Sequence, residues 1–258
     1  MNVYLISLLA TFILFHLAFL FAVKFKRNDI ADVLWGPGFV VAALAGLCAL
    51  PRGWHQLGER EWLILIFLST WASRLFWHIG RRFLKKQSED TRYAGMRAKW
   101  GANWLWRSYL LVFVLQGILL LAVDSGVLRA LEISPRPINL FFVIGASLWV
   151  LGFIFETVSD RQLRLFSSDA RNKGRIMNTG LWKFSRHPNY FGEVVQWWGL
   201  FLMSADSSAW WTIVSPLLIT FLILKVSGIP MLEELMGGRP GYAEYKARTS
   251  VFIPWPPG

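Results

Sequence analysis

Two amides and a run of carboxylates recur in this sequence at spacings of four and seven residues. In "FSRHPNYFGEVVQWWG" (184–199), Pro188 suits the first position of a helix, where its missing N–H would be unbonded anyway. From that start Asn189, Glu193 and Gln196 fall at i, i+4 and i+7 and share one face. Gly192 and Gly199 lie on a neighbouring face, where another backbone can approach. Upstream, in "FETVSDRQLRLF", Glu156, Asp160 and Arg164 are four apart. Amides and carboxylates so arranged can bond the hydroxyl and amide groups of a polar ligand, and arginines can grip anionic oxygens bidentately. Ionisable groups near a bilayer are costly and face a bundle interior, a partner or a water-filled cavity, so two such stripes imply a polar pocket.

Other groups have competing readings. Arg74 and His78 are again four apart and lead into the dense run Glu89-Asp90-Thr91-Arg92-Tyr93. Asp32 in "RNDIADVLWGPGF" stands at the mouth of an apolar helix, where a carboxylate often only complements the helix N-terminus. Arg81, Arg82, Lys85 and Lys86 suit a stop-transfer cluster on anionic lipid better than a phosphate site. Arg186 and His187 can snorkel to head groups while Glu193 pairs privately with an arginine. The four scattered His have no zinc spacing, and the lone Cys48 allows neither a disulfide framework nor a thiolate cluster, so no metal site is expected. G-x-G-x-x-G after a strand, a Walker motif and G-x-S-x-G are all missing, which excludes the conventional nucleotide folds.

The elements that position these groups follow from composition. Of 258 residues 55% are hydrophobic and 17% charged, too little charge to cover a soluble domain of this size. Apolar runs of bilayer-crossing length predict an all-α polytopic membrane protein with seven spans near 3–23, 33–50, 62–79, 108–123, 139–158, 189–204 and 209–229. The first run has no basic n-region and no small-residue cleavage site, and reads as a retained helix. Lys24, Lys26, Arg27, the basic runs in 81–107 and 161–186, and Arg239, Lys246 and Arg248 fall on one side. The other side holds only Arg52, Arg60, Arg129 and Arg136. The positive-inside rule then predicts an outside N-terminus and a cytoplasmic C-terminus. The net charge of +11 is mostly this topology signal, so no nucleic-acid partner is expected. Segments 80–107 and 159–188 are predicted as long cytoplasmic loops. With the C-terminal tail they should build a cytoplasm-facing cavity in what reads as a single domain.

The order "SDRQLRLF…KGRIMNTGLWKFSRHPNYFGEVVQWWG" resembles the C-terminal half of the steroid 5α-reductase family, particularly its bacterial branch. "DVLWG", "EDTRY" and "TSVFIPWPP" extend the likeness over most of the chain, and Asn189-Tyr190-Phe191-Gly192-Glu193 is its most specific part. The resemblance implies a seven-helix inner-membrane reductase that holds NADPH in residues 139–258 and reduces an enone of a lipid-soluble substrate. By residue-wise match Asp160, Arg164, Arg175, Asn189 and Glu193 are the implied nucleotide contacts, joined by Arg186, His187 and Tyr190 of the R-H-P-N-Y element. Asp32 falls near the family's catalytic carboxylate and is the expected acid, with Tyr93 in reserve. The tyrosine that accompanies that carboxylate in steroid reductases is matched here by Trp71.

"RHPNY" followed by "LEELMGGRPGYAEY" is also similar to the isoprenylcysteine and phospholipid methyltransferases, which use S-adenosylmethionine. In that reading Arg186, His187, Glu233 and Glu234 would matter more. A non-enzymatic lipid-binding or assembly protein is the third reading, and it predicts no nucleotide binding. The basic loop together with Asn189 and Glu193 favours NADPH, whose phosphates need arginines, over a sulfonium cofactor.

Overall fold

The computed structural model describes residues 2–50, 55, 57–133 and 135–258. Arg52, one of the four cations expected away from the cytoplasm, lies outside them. Eleven α-helices follow in order among the described residues: α1 (Val3–Phe25), α2 (Ile30–Cys48), α3 (Glu59–Lys85), α4 (Thr91–Trp100), α5 (Trp104–Ser108), α6 (Leu115–Ile133), α7 (Leu140–Ser168), α8 (Pro188–Ser204), α9 (Val214–Phe221), α10 (Ile229–Gly237) and α11 (Tyr242–Arg248). Two short π-helical turns, Tyr109–Val114 and Leu222–Val226, join α5 to α6 and extend α9.

Among the described residues six helical segments are long and apolar enough to cross a bilayer: Val3–Phe25, Ile30–Cys48, Glu59–Lys85, Thr91–Ile133, Leu140–Ser168 and Trp210–Gly237. The chain is an all-α integral membrane protein. The remaining expected span, 189–204, is α8 and has 17 residues, at the short limit of the roughly 17–25 that span a bilayer. Much of what reads as loop in the sequence is helix. Helix α3 runs on to Lys85, α4 begins at Thr91, and α7 continues to Ser168. The apolar pattern stops earlier than the helix because Arg, Lys and Gln are good helix formers, and basic residues in a last turn complement the helix dipole.

The chain divides into two compact units, residues 1–139 with 204–214, and residues 140–203 with 215–258. In the first unit α2 packs against α1, α3 and α6. Gly36 lies against the Ala72 backbone, where an added Cβ would meet Ala72 O at 2.9 Å. Three of the four cations expected away from the cytoplasm converge on the 204–214 segment. Arg60, buried, donates to Ala205 O (3.2 Å), Arg136 donates to the same carbonyl (3.1 Å) and pairs with Asp206, and Arg129 donates to Ser208 Oγ (3.1 Å). The Ser208 hydroxyl, helped by Arg136, holds the Asp206 carboxyl down to about 2. These arginines fasten a turn.

In the second unit α7 and α8 touch backbone to backbone at two glycine pairs, Gly145 with Gly199 and Gly152 with Gly192. Each pair is seven residues apart on its helix, so one contact repeats after two turns. A Cβ on Gly152 would lie 2.5 Å from Gly192 O and 2.8 Å from Gln196 N, and neither backbone atom can give way as a side chain does. Gly152→Ala is therefore expected to cost about 1–3 kcal/mol as overpacking, read as a lower midpoint of thermal unfolding in detergent. Gly95 in α4 has nothing within 4 Å of its Cβ position, so Gly95→Ala should be neutral or stabilising. Equal losses at both sites would overturn the packing account.

Candidate functional site

Each unit assembles its own cluster of the expected residues. In the first unit Asp32 sits in the opening turn of α2, but its side chain bonds to other helices. Asp32 Oδ1 accepts the Tyr93 hydroxyl at 2.7 Å, Oδ2 pairs with Arg92, and Gln116 Nε2 lies 3.5 Å from Oδ1. The expected acid and the hydroxyl held in reserve are thus joined by a direct hydrogen bond. Tyr93 is buried, and the Arg92 guanidinium lies 4.4 Å from the centre of its ring. Trp71, the residue matching the family's tyrosine, is buried edge-on against Phe39 at 5.4 Å. The hydroxyl beside the carboxylate comes from α4 instead.

An ionic belt holds α4 there. Glu89 accepts Arg97 Nη2 (2.8 Å) and the Asn28 N–H (2.7 Å), tying the segment before α4 to the turn before α2. Arg27 forks onto Asp29 and caps α3 through Phe83 O (3.1 Å) and Lys86 O (2.8 Å). A cavity of about 20 Å³ opens beside Asp32, bounded by Asp29, Arg82, Lys86 and Asp90, and it has room for one water. The sequence alone gives Arg92 no role beyond its place in the dense run, and Gln116 none at all. The signal for Gln116 was a lone amide inside the apolar run "VFVLQGILLL".

In the second unit the glycine contacts align the two polar stripes. Asn189 Nδ2 donates to Asp160 Oδ1 at 3.1 Å, and Gln196 Nε2 donates to Glu156 Oε2 at 2.7 Å. Both amide oxygens, Asn189 Oδ1 and Gln196 Oε1, are buried without a hydrogen-bond partner among the described residues. Two orphaned acceptors facing away from their carboxylates fit a ligand rich in O–H and N–H donors. Glu193 is half-buried one turn after Asn189, and Arg164 and Arg175 are exposed, free to meet phosphate groups. The residue types suit a phosphorylated nucleotide with ribose and amide groups.

Within the R-H-P-N-Y element Arg186 and His187 bond to the protein itself. Buried Arg186 grips Glu233 through Nε (2.8 Å) and Nη2 (3.1 Å), while Nη1 donates to Lys246 O (3.0 Å) and Thr249 O (2.7 Å). Burial lowers the His187 pKa, so the ring is neutral at pH 7. Its Nε2 lies 3.0 Å from Glu233 Oε1, which requires the Nε2–H tautomer. Tyr242 donates to the same oxygen at 2.6 Å, and burial and then this carboxylate push the phenol pKa up. Tyr190 stacks on His187 at 5.8 Å. Ser185 and Ser250 form a parallel bridge, with Arg186 N–H to Ser250 O at 2.8 Å, and Trp255 N–H reaches Phe184 O at 3.0 Å. Arg186 and His187 thus lock the C-terminal tail onto the segment entering α8.

The relatives that comparison with known proteins finds are of unequal reach. An uncharacterised protein of Schizosaccharomyces pombe is 26% identical over 98% of this chain and 80% of its own length. The 3-oxo-5-alpha-steroid 4-dehydrogenase 1 of Bos taurus is 35% identical over 69 residues, 27% of each chain. The human protein of the same name is 35% identical over 63 residues, 24% of each chain. The matches to the steroid dehydrogenases therefore cover about a quarter of those proteins' length. No solved structure matches. Residues 18–249 match the model of the family described as "Protein of unknown function (DUF1295)", and the chain belongs to that family, the steroid 5α-reductase-like family.

Proposed function

We propose that the protein is an NADPH-dependent membrane reductase of a C=C bond conjugated to a carbonyl in a lipid-soluble, steroid- or isoprenoid-like substrate. The observation that carries this reading is the Tyr93 hydroxyl held on Asp32 at 2.7 Å within a membrane-embedded unit of a steroid-reductase-like chain. When bound, NADPH would supply the hydride for the β-carbon, and the α-carbon would take a proton. Tyr93 donates to the substrate carbonyl oxygen or to the α-carbon, and Asp32 and Arg92 fix the orientation of its ring and hydroxyl. A water in the cavity beside Asp32 returns the proton from the cytoplasmic side. Asp160, Asn189 and Glu193 hold the ribose and nicotinamide groups, and Arg164 and Arg175 hold the phosphates. Arg186, His187 and Tyr190 support that site by setting the entry of α8. The protein sits in a bacterial inner membrane with its N-terminus outside and its C-terminus cytoplasmic.

Calorimetry on the purified full chain tests the cofactor. NADPH is expected to bind more tightly than NADH or S-adenosylmethionine. Arg175→Ala should weaken NADPH by about tenfold, the loss of one charge-assisted contact, and NADH less. Glu193→Gln should weaken both. Binding of S-adenosylmethionine with no NADPH signal would transfer the chain to the methyltransferase reading, and binding of neither would remove the enzyme reading.

A further inference from the structure

No group of the cofactor has been assigned to Gln196 so far, yet its surroundings are specific. The side chain is fully buried on α8. Its two amide hydrogens are engaged, one by Glu156 Oε2 at 2.7 Å and one by Gly192 O at 3.3 Å. An amide can normally turn over and exchange its ends. Here the carboxylate fixes the NH₂ end toward α7, so Oε1 is an acceptor of set direction. That oxygen is buried with no donor among the described residues. Inside a membrane protein such an acceptor is costly. The Asn189 amide repeats the arrangement, with Nδ2 on Asp160 and Oδ1 without a partner. The two lie seven residues apart, about 10 Å along the helix axis.

The gradient along α8 orders what could satisfy them. Arg164 is one turn beyond Asp160 on α7 and exposed, so anionic groups belong at the Asn189 end. Toward Gln196 the helix is apolar, and Val194, Trp197 and Leu200 around it in the sequence are all buried. A ligand matching this order has phosphates at one end, hydroxyls in the middle and a neutral N–H donor at the other.

We infer that Gln196 is the residue that recognises the carboxamide of the nicotinamide ring, its Oε1 accepting the carboxamide N–H, with Glu156 as the positioning residue that keeps Oε1 turned toward the ring. This rests on the nicotinamide-dinucleotide reading above and sets the direction of the dinucleotide along α8. An unlike ligand end would be rejected at Gln196 because it leaves the same oxygen orphaned.

The probe is the 3-acetylpyridine analogue of NADP⁺, which replaces the carboxamide NH₂ by a methyl group and leaves the phosphates and riboses unchanged. Binding of both nucleotides to the full-length protein in detergent is measured by calorimetry, without turnover. NADP⁺ should bind about tenfold or more tightly than the analogue, the cost of one unmet buried acceptor. Gln196→Met should bring the two affinities within about twofold by weakening NADP⁺ alone. Glu156→Gln, which keeps shape but removes the fixed charge, should shrink the ratio with the analogue unaffected. A wild-type ratio near one overturns the inference even if neither variant folds, and it leaves NADPH binding itself standing. A Gln196→Met protein that retains the full ratio overturns it as well. Failure of NADP⁺ and NADPH to bind at all removes both this inference and the function on which it rests.

Discussion

Tyr93→Phe is expected to lower turnover of an α,β-unsaturated ketone by about 10²–10⁴-fold, the range a positioned proton donor supplies, while NADPH affinity stays within about twofold. The substitution removes one oxygen. The ring, its stacking with Arg92 and the Arg92–Asp32 pair remain, so the fold has little reason to change. Asp32→Asn should also depress turnover, because the amide keeps an acceptor for Tyr93 but loses the charge that holds Arg92 in place. Steady-state kinetics set beside calorimetry separate the two roles. If binding and turnover fall together in Tyr93→Phe, the hydroxyl is structural and the assignment of Tyr93 as proton donor is wrong.

The second large effect is on stability. Arg186→Ala removes both forks onto Glu233 and the donors to Lys246 O and Thr249 O. Side-chain exposures of 8% for Arg186 and 14% for Glu233 mean that water does not replace the lost partner. Breaking a buried pair from one side costs about 3–5 kcal/mol. His187, Tyr242 and Lys246 still face Glu233, so about 3 kcal/mol, the lower end, is expected. The readouts are a lower unfolding midpoint in detergent and faster proteolysis of the segment after Thr249, which Arg186 tethers. Arg186→Lys should recover little of it, since an ammonium cannot bridge a carboxylate and two carbonyls in one plane. A stable Arg186→Ala protein that has lost NADPH binding would instead make Arg186 a cofactor ligand.

The contrast between these two predictions shows how far the amino-acid sequence reaches. Helix existence, the membrane and the polar stripes were legible in it, because each is a periodicity along one element: apolar runs of bilayer length, amides and carboxylates at i, i+4 and i+7, glycines on the adjoining face. Helix ends were less legible. Arg81, Arg82 and Lys85 end an apolar pattern without ending a helix, since helix propensity and hydropathy are different properties. Pairings between elements were not legible at all. Nothing local to "EDTRY" indicates that Tyr93 and Arg92 meet Asp32 some sixty residues earlier, or that Arg186 spends its donors on Glu233 and the chain tail. A side chain's type states what it can bond. Which partner reaches it first depends on how close two backbones come, and here glycine contacts between α7 and α8 and the ionic belt around α4 set those distances. Residue chemistry was therefore determined by the sequence read locally, while the division of those residues between ligand-facing acceptors and internal clamps was decided only by the tertiary structure, because hydrogen-bond geometry is lost within about an ångström of misplacement.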